Sequence, residues 1–251
     1  MRWYSLKEVK EQTDHKSIYP LNWKILTSTG HLPSYFFINF TNLTPNQITL
    51  VWGFLGLIGT FLIALGGYTN MFIGILIYQL ALWTDTVDGA VARLKNHKRV
   101  GGIYMDYFFH HVHRTLLLFT LGVGIFNTTG DIIYLYLGIW TGFFLVFDNL
   151  NKIKVYETFV IIGKYKELKK IKEFYGGGED GYYKERGGWI KNINFYFREM
   201  VRPNNPFTFL FLSILFNVPQ YYLVLMTVLA PLFFVRNFVR VYKRIANLPN
   251  N

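Results

Sequence analysis

Asp85-Thr86-Val87-Asp88-Gly89-Ala90-Val91-Ala92-Arg93 closes a long apolar run, and Gly102, Asp106 and His110 follow after a short basic turn. Asp85 lies three residues before Asp88 and four before Gly89, so these residues share a helix face. Asp106 and His110 are four apart, with Gly102 one turn earlier. The short connection makes the two helices antiparallel neighbours whose polar stripes meet near one end of the bundle. Acids at membrane depth are costly to retain and mark a functional site by default. Clustered carboxylates without cysteine suit a hard cation, Mg²⁺ or Mn²⁺, whose shell is completed by substrate phosphates. Gly89, Ala92 and Gly102 leave room for a ligand to approach the backbone, and Arg93 offers a guanidinium to phosphate.

The rest of the chain supports a polytopic, all-α membrane protein. Half of its 251 residues are hydrophobic, 19% are aromatic, and the net charge is +11. A soluble basic protein of this size would suggest nucleic acid. Here the basic residues lie between apolar runs, which points to anionic lipid and cytoplasmic loops instead, with no nucleic-acid partner. No cysteine is present, so disulfides and thiolate chemistry are excluded. Arg2, Lys7, Glu8 and Lys10 leave no apolar core for a cleavable signal peptide.

The apolar runs predict about six transmembrane helices. Thr44-Pro45-Asn46 is a start signal for a span over Ile48 to Leu65, which Gly66-Gly67 ends. Met71 runs on into the Asp85 motif. Gly102 to Phe126 and Ile132 to Phe147 are the third and fourth. Phe207 to Phe216 is apolar but short, and Tyr221 to Phe238 is a clearer span. The expected organisation is a cytoplasmic arm at 1–44, a four-helix core at 45–151, a basic connector at 152–205 and two helices at 206–251. Within the arm, the stretch from Trp23 to Phe40 suits a helix lying on the headgroups. Within the connector, Tyr156 to Tyr175 has helical spacing and Gly176-Gly177-Gly178 a flexible break. Basic residues fall in the arm, the 93–99 turn, the connector and the C-terminus, while the turns near Gly67, Asn127 and Asn217 carry almost none. That alternation places both termini in the cytoplasm.

The motif resembles the signature of the CDP-alcohol phosphotransferase family, Asp-x2-Asp-Gly-x2-Ala-Arg-x8-Gly-x3-Asp-x3-Asp. Asp85, Asp88, Gly89, Ala92, Arg93, Gly102 and Asp106 match with the same spacing, and His110 replaces the last aspartate. Thr44-Pro45-Asn46 and Thr49 also look like the family's entry to its first helix. The resemblance covers about residues 40–150. It implies an integral membrane enzyme, often a homodimer, that transfers a phosphoalcohol from a CDP-alcohol to an acceptor hydroxyl and releases CMP. It implies that Asp85, Asp88 and Asp106 bind the metal and that Gly89, Ala92, Arg93 and Gly102 line the CDP site. The last signature position is the family's proposed general base or a further ligand. The donor is not readable from the residues. CDP-diacylglycerol is the family's commonest donor, and a soluble CDP-alcohol is the alternative.

His110 is able to take the base role, because neutral imidazole accepts a proton near neutral pH. It can also ligate metal. The competing reading is a non-catalytic protein that keeps the CDP pocket. An ion transporter fits poorly, since the acids cluster at one level rather than along a path. His113 and Arg114 lie one turn beyond His110. Arg114 is expected to bind an acceptor phosphate or to pair with a buried acid, and His111 to pack or hydrogen-bond ordinarily. Gly53, Gly56 and Gly59, and the Gly138/Gly142 pair, signal close helix packing or a dimer face. Asp148 reads as a solvated residue near a helix end, and Arg236 and Arg240 as snorkelling to headgroups.

Overall fold

A computed structural model describes residues 3–13, 28–96, 100–161, 163 and 207–246, and all of the regular structure there is helical. In chain order the helices are α1 (Leu6–Thr13), α2 (His31–Phe40), α3 (Pro45–Leu65), α4 (Tyr68–Leu94), α5 (Val100–Thr129), α6 (Ile133–Ile161), α7 (Phe207–Leu215) and α8 (Pro219–Ala246). Most of the expected basic connector, including 164–175 and the triple glycine, lies outside the described residues, as does the stretch around Trp23.

The start of α3 follows from its sequence. Thr44 and Gln47 form a capping box, Thr44 N donating to Gln47 Oε1 at 2.8 Å and Gln47 N to Thr44 Oγ1 at 3.3 Å, with Pro45 at the first helical position. Its end is set by Gly66 and Gly67, both at positive φ (76° and 73°), which only glycine adopts without strain. The chain reverses there into α4.

Among the described residues, three helices are long and apolar enough to cross a membrane: Pro45–Leu65, Ile133–Asn151 and Pro219–Lys243. Their outer faces carry exposed Phe54, Phe61, Phe143 and Val228, apolar surface suited to lipid rather than water. Helices α4 and α5, of 27 and 30 residues, exceed the length of a span but carry the polar site. Helix α7 has nine residues, which reach only about 14 Å at 1.5 Å each, short of a hydrocarbon core of about 30 Å. The chain is thus an integral membrane helical bundle, with three clear spans among the described residues.

Helix α3 is the central wedge. It packs along both α4 and α5, whereas the backbones of α4 and α5 stand further apart. The signature helices are therefore not close-packed neighbours, as the short turn suggested. They flank α3, and their side chains meet across a gap. The glycines of α3 explain this. A Cβ on Gly53 would lie 2.6 Å from the Phe109 ring, one on Gly56 2.6 Å from His113 Nε2, and one on Gly59 2.8 Å from the Gly74 carbonyl. Gly138 meets Gly122 of α5 in the same way. Both glycine faces are used inside the bundle, which removes them as dimer faces. Helices α6 and α8 run parallel, linked by Trp140 Nε1 donating to the Thr227 carbonyl (3.3 Å) and Asn237 Nδ2 donating to Asp148 Oδ1 (2.8 Å).

The N-terminal helices pack onto this core. Val9 of α1 is fully buried among Ile38 of α2, Ile48 of α3, and Val87 and Val91 of α4. Helix α2 buries Ser34 and Ile38 and leaves Leu32, Phe36 and Phe40 exposed.

Candidate functional site

Asp85 on α4 and Asp106 and His110 on α5 converge. His110 Nε2 lies 3.6 Å from Asp85 Oδ2 and 3.5 Å from Asp106 Oδ1. One ligand atom from each of the three falls within 4.8 Å of the others. These separations are too long for good hydrogen bonds, yet short enough for one cation to be shared. All three side chains are partly accessible, Asp85 least at 9%. Two carboxylate oxygens and an imidazole nitrogen, with no thiolate, form a donor set that fits a hard divalent ion.

Asp88 is placed differently. It is buried one turn along α4, and its Oδ2 accepts from Thr49 Oγ1 at 2.6 Å and from Trp52 Nε1 at 3.4 Å, both on α3. The helix spacing that puts Asp85 and Asp88 on one face allows both to approach the site, but Asp88 is turned toward α3. Trp52 is a site residue that the sequence reading missed. Besides facing Asp88, its ring lies 5.0 Å from that of His110 and 5.3 Å from that of His113. Its signal was weak: an indole on an apolar helix, three residues past Thr49.

The remaining expected residues lie on the same two helices, α4 and α5. Gly102 is buried one turn before Asp106, and Ala92 is buried on α4. Arg93 is exposed. Its Nη2 donates to the Gln12 carbonyl of α1 at 2.6 Å, and its Nη1 lies 3.2 Å from where a Cβ on Gly89 would stand. His113 is buried and its Nε2 meets the Gly53 carbonyl at 2.8 Å, a contact that ties α5 to α3. Arg114 is half-buried on α5, within electrostatic reach of Tyr78, Asp148, Asp85 and Asp106.

Asp148 corrects its sequence reading. It is 4% exposed and bonded by Asn237, because α6 continues to Ile161 and leaves residue 148 well inside the helix. Asn149 beside it is also buried. Arg236 is exposed and Arg240 half-buried, near the end of α8.

No curated protein matches the chain. The CDP-alcohol phosphatidyltransferase family matches residues 42–165, which span α3, α4, α5 and α6 and contain every residue of the converging triad. With the signature intact at seven of its eight positions and its polar groups gathered between the two helices that carry them, the chain belongs to the CDP-alcohol phosphatidyltransferase family.

Proposed function

We propose that this protein transfers a substituted phosphate, such as a phosphatidyl group, from a CDP-alcohol to an acceptor hydroxyl and releases CMP. The convergence of Asp85, Asp106 and His110 across the gap between α4 and α5 carries this reading. Asp85, Asp88 and Asp106 are the proposed holders of Mg²⁺ or Mn²⁺. A divalent ion there supplies charge against the donor diphosphate. Gly89, Ala92, Arg93 and Gly102 form the wall that the cytidine diphosphate approaches.

The acceptor oxygen attacks the phosphorus that carries the alcohol, forming a new P–O bond. The P–O bond to CMP breaks, and CMP leaves with the bonding electrons. His110, as a neutral imidazole, takes the acceptor's proton at Nε2. The placement of Nε2 between Asp85 and Asp106 supports an alternative role for His110, as a further ligand of the ion, in which Nε2 does not also take the proton. Trp52 holds the ring from behind in either case.

CDP-diacylglycerol is the preferred donor, because a lipid can reach a site within the bundle laterally from the membrane. The basic turn after Arg93 supports a site that faces the cytoplasm. The same reading takes the protein as a homodimer in phospholipid synthesis, with an interface away from the buried glycine faces.

The test is CMP release by purified protein in nanodiscs, across a panel of CDP-alcohols and acceptors, with Mg²⁺, with Mn²⁺ and with chelator. Metal-dependent CMP release that requires an acceptor is expected. A folded protein that binds CDP but releases no CMP from any donor would instead be the non-catalytic binder.

A further inference from the structure

The N-terminal segment, residues 3–13, reaches the end of α4 by two polar contacts and is clamped to α2 by a third residue, Asn39. Tyr4 Oη donates to the Leu94 carbonyl at the end of α4 (2.9 Å). The Asn39 carboxamide clamps the Tyr4 backbone, Oδ1 accepting from Tyr4 N (2.9 Å) and Nδ2 donating to the Tyr4 carbonyl (3.0 Å). The Gln12 carbonyl accepts from Arg93 Nη2 at 2.6 Å. Carbonyls in the last turn of a helix lack intrahelical partners and carry the negative end of its dipole, so a guanidinium is the natural group to meet there. Val9, fully buried between α2, α3 and α4, sets the depth at which α1 docks.

Arg93 and Gly89 lie one helical turn apart, and the Arg93 Nη1 sits over Gly89 at 3.2 Å from a built Cβ. A side chain at residue 89 would crowd the guanidinium, which would have to shift by a few tenths of an ångström. A free arginine side chain has many rotamers, and a diphosphate would otherwise have to quench that freedom on binding.

We infer that α1 is a positioning element of the donor site: its last turn fixes the Arg93 guanidinium over Gly89 before a nucleotide diphosphate arrives. This rests on the donor-site reading of Gly89 and Arg93 above. Residues 3–13 then act on donor affinity through Arg93, and leave the transfer step at Asp85, Asp106 and His110 alone.

The test uses the full chain carrying Tyr4→Phe and Asn39→Leu together, which removes the three hydrogen bonds of the clamp and keeps its apolar volume. Two readouts are taken: CDP binding with Mg²⁺ by calorimetry, and CMP release as KM for the donor against kcat. The expected result is a loss of CDP affinity and a rise in donor KM of about tenfold, with kcat within about twofold of the parent, the size of one charge-assisted hydrogen bond. In an Arg93→Gln background the same pair of changes should have no further effect, because the group they position is gone. Unchanged CDP affinity, or losses that add fully in the Arg93→Gln background, overturns the inference while leaving the transferase reading intact. If the double variant does not fold, Tyr4→Phe alone is compared in both backgrounds by the same criterion. Failure of the parent protein to bind CDP at all would sink the donor-site reading, and this inference with it.

Discussion

Replacing Thr49 by valine removes one hydroxyl and nothing else of size. Thr49 is fully buried, and its Oγ1 lies 2.6 Å from Asp88 Oδ2 and 3.1 Å from the Pro45 carbonyl. A hydroxyl has one proton, so only one of these is a donation, and the shorter contact to the carboxylate takes it. Hydrogen bonds to charged groups contribute about 1.5–3 kcal/mol, and the carboxylate left behind stays buried. At roughly 2–4 °C per kcal/mol for a chain of this size, the unfolding midpoint should fall by on the order of 3–12 °C. Thermal unfolding of the protein in nanodiscs, followed by intrinsic tryptophan fluorescence, measures this. Thr49→Ser keeps the hydroxyl and should recover most of the loss. If Thr49→Val melts within 1 °C of the parent (~0.3–0.5 kcal/mol), or if the serine variant is as unstable as valine, then Thr49 does not hold Asp88 and the reasoning fails.

Other outcomes follow from the same geometry. Gly56→Ala places a methyl into the His113 ring and disturbs its bond to the Gly53 carbonyl, so a loss of about 1–3 kcal/mol is expected, read as a lowered melting midpoint. Gly124→Ala should be worse, because its Cβ meets the Ile63 backbone carbonyl, which cannot rotate away; expression as a monodisperse, folded protein would contradict this. Asp85→Asn and Asp106→Asn should each abolish metal-stimulated CMP release while leaving the helical circular-dichroism signal unchanged. At saturating metal, His110→Ala should lose most turnover and His110→Asp should retain it; equal turnover by His110→Ala and the parent would make His110 structural. In this cysteine-free chain, single cysteines at Asp131 and Lys154, at opposite ends of the α6 span, should label from opposite sides of sealed vesicles; labelling from one side would refute the orientation of α6.

Much of this protein could be read without a structure, for local reasons. The capping box at Thr44 and the glycine pair at 66–67 act within a few residues, so both ends of α3 were legible. The spacing of Asp85, Asp88, Asp106 and His110 places each group on a helix face by the helical period alone, and the apolar runs mark where lipid must lie. What a helix period cannot supply is the register and distance between helices. That was decided by the glycine face of α3, which draws in Phe109, His113 and Tyr78 and so wedges the signature helices apart. The wedge turns Asp88 to Thr49 and Trp52 while Asp85, Asp106 and His110 gather across the gap. It also took the tertiary structure to bury Asp148 against Asn237 and to bring Gln12 to Arg93, 81 residues away in the chain. These pairings depend on how whole helices dock, and docking is set by complementary surfaces far apart in sequence, which no local pattern encodes.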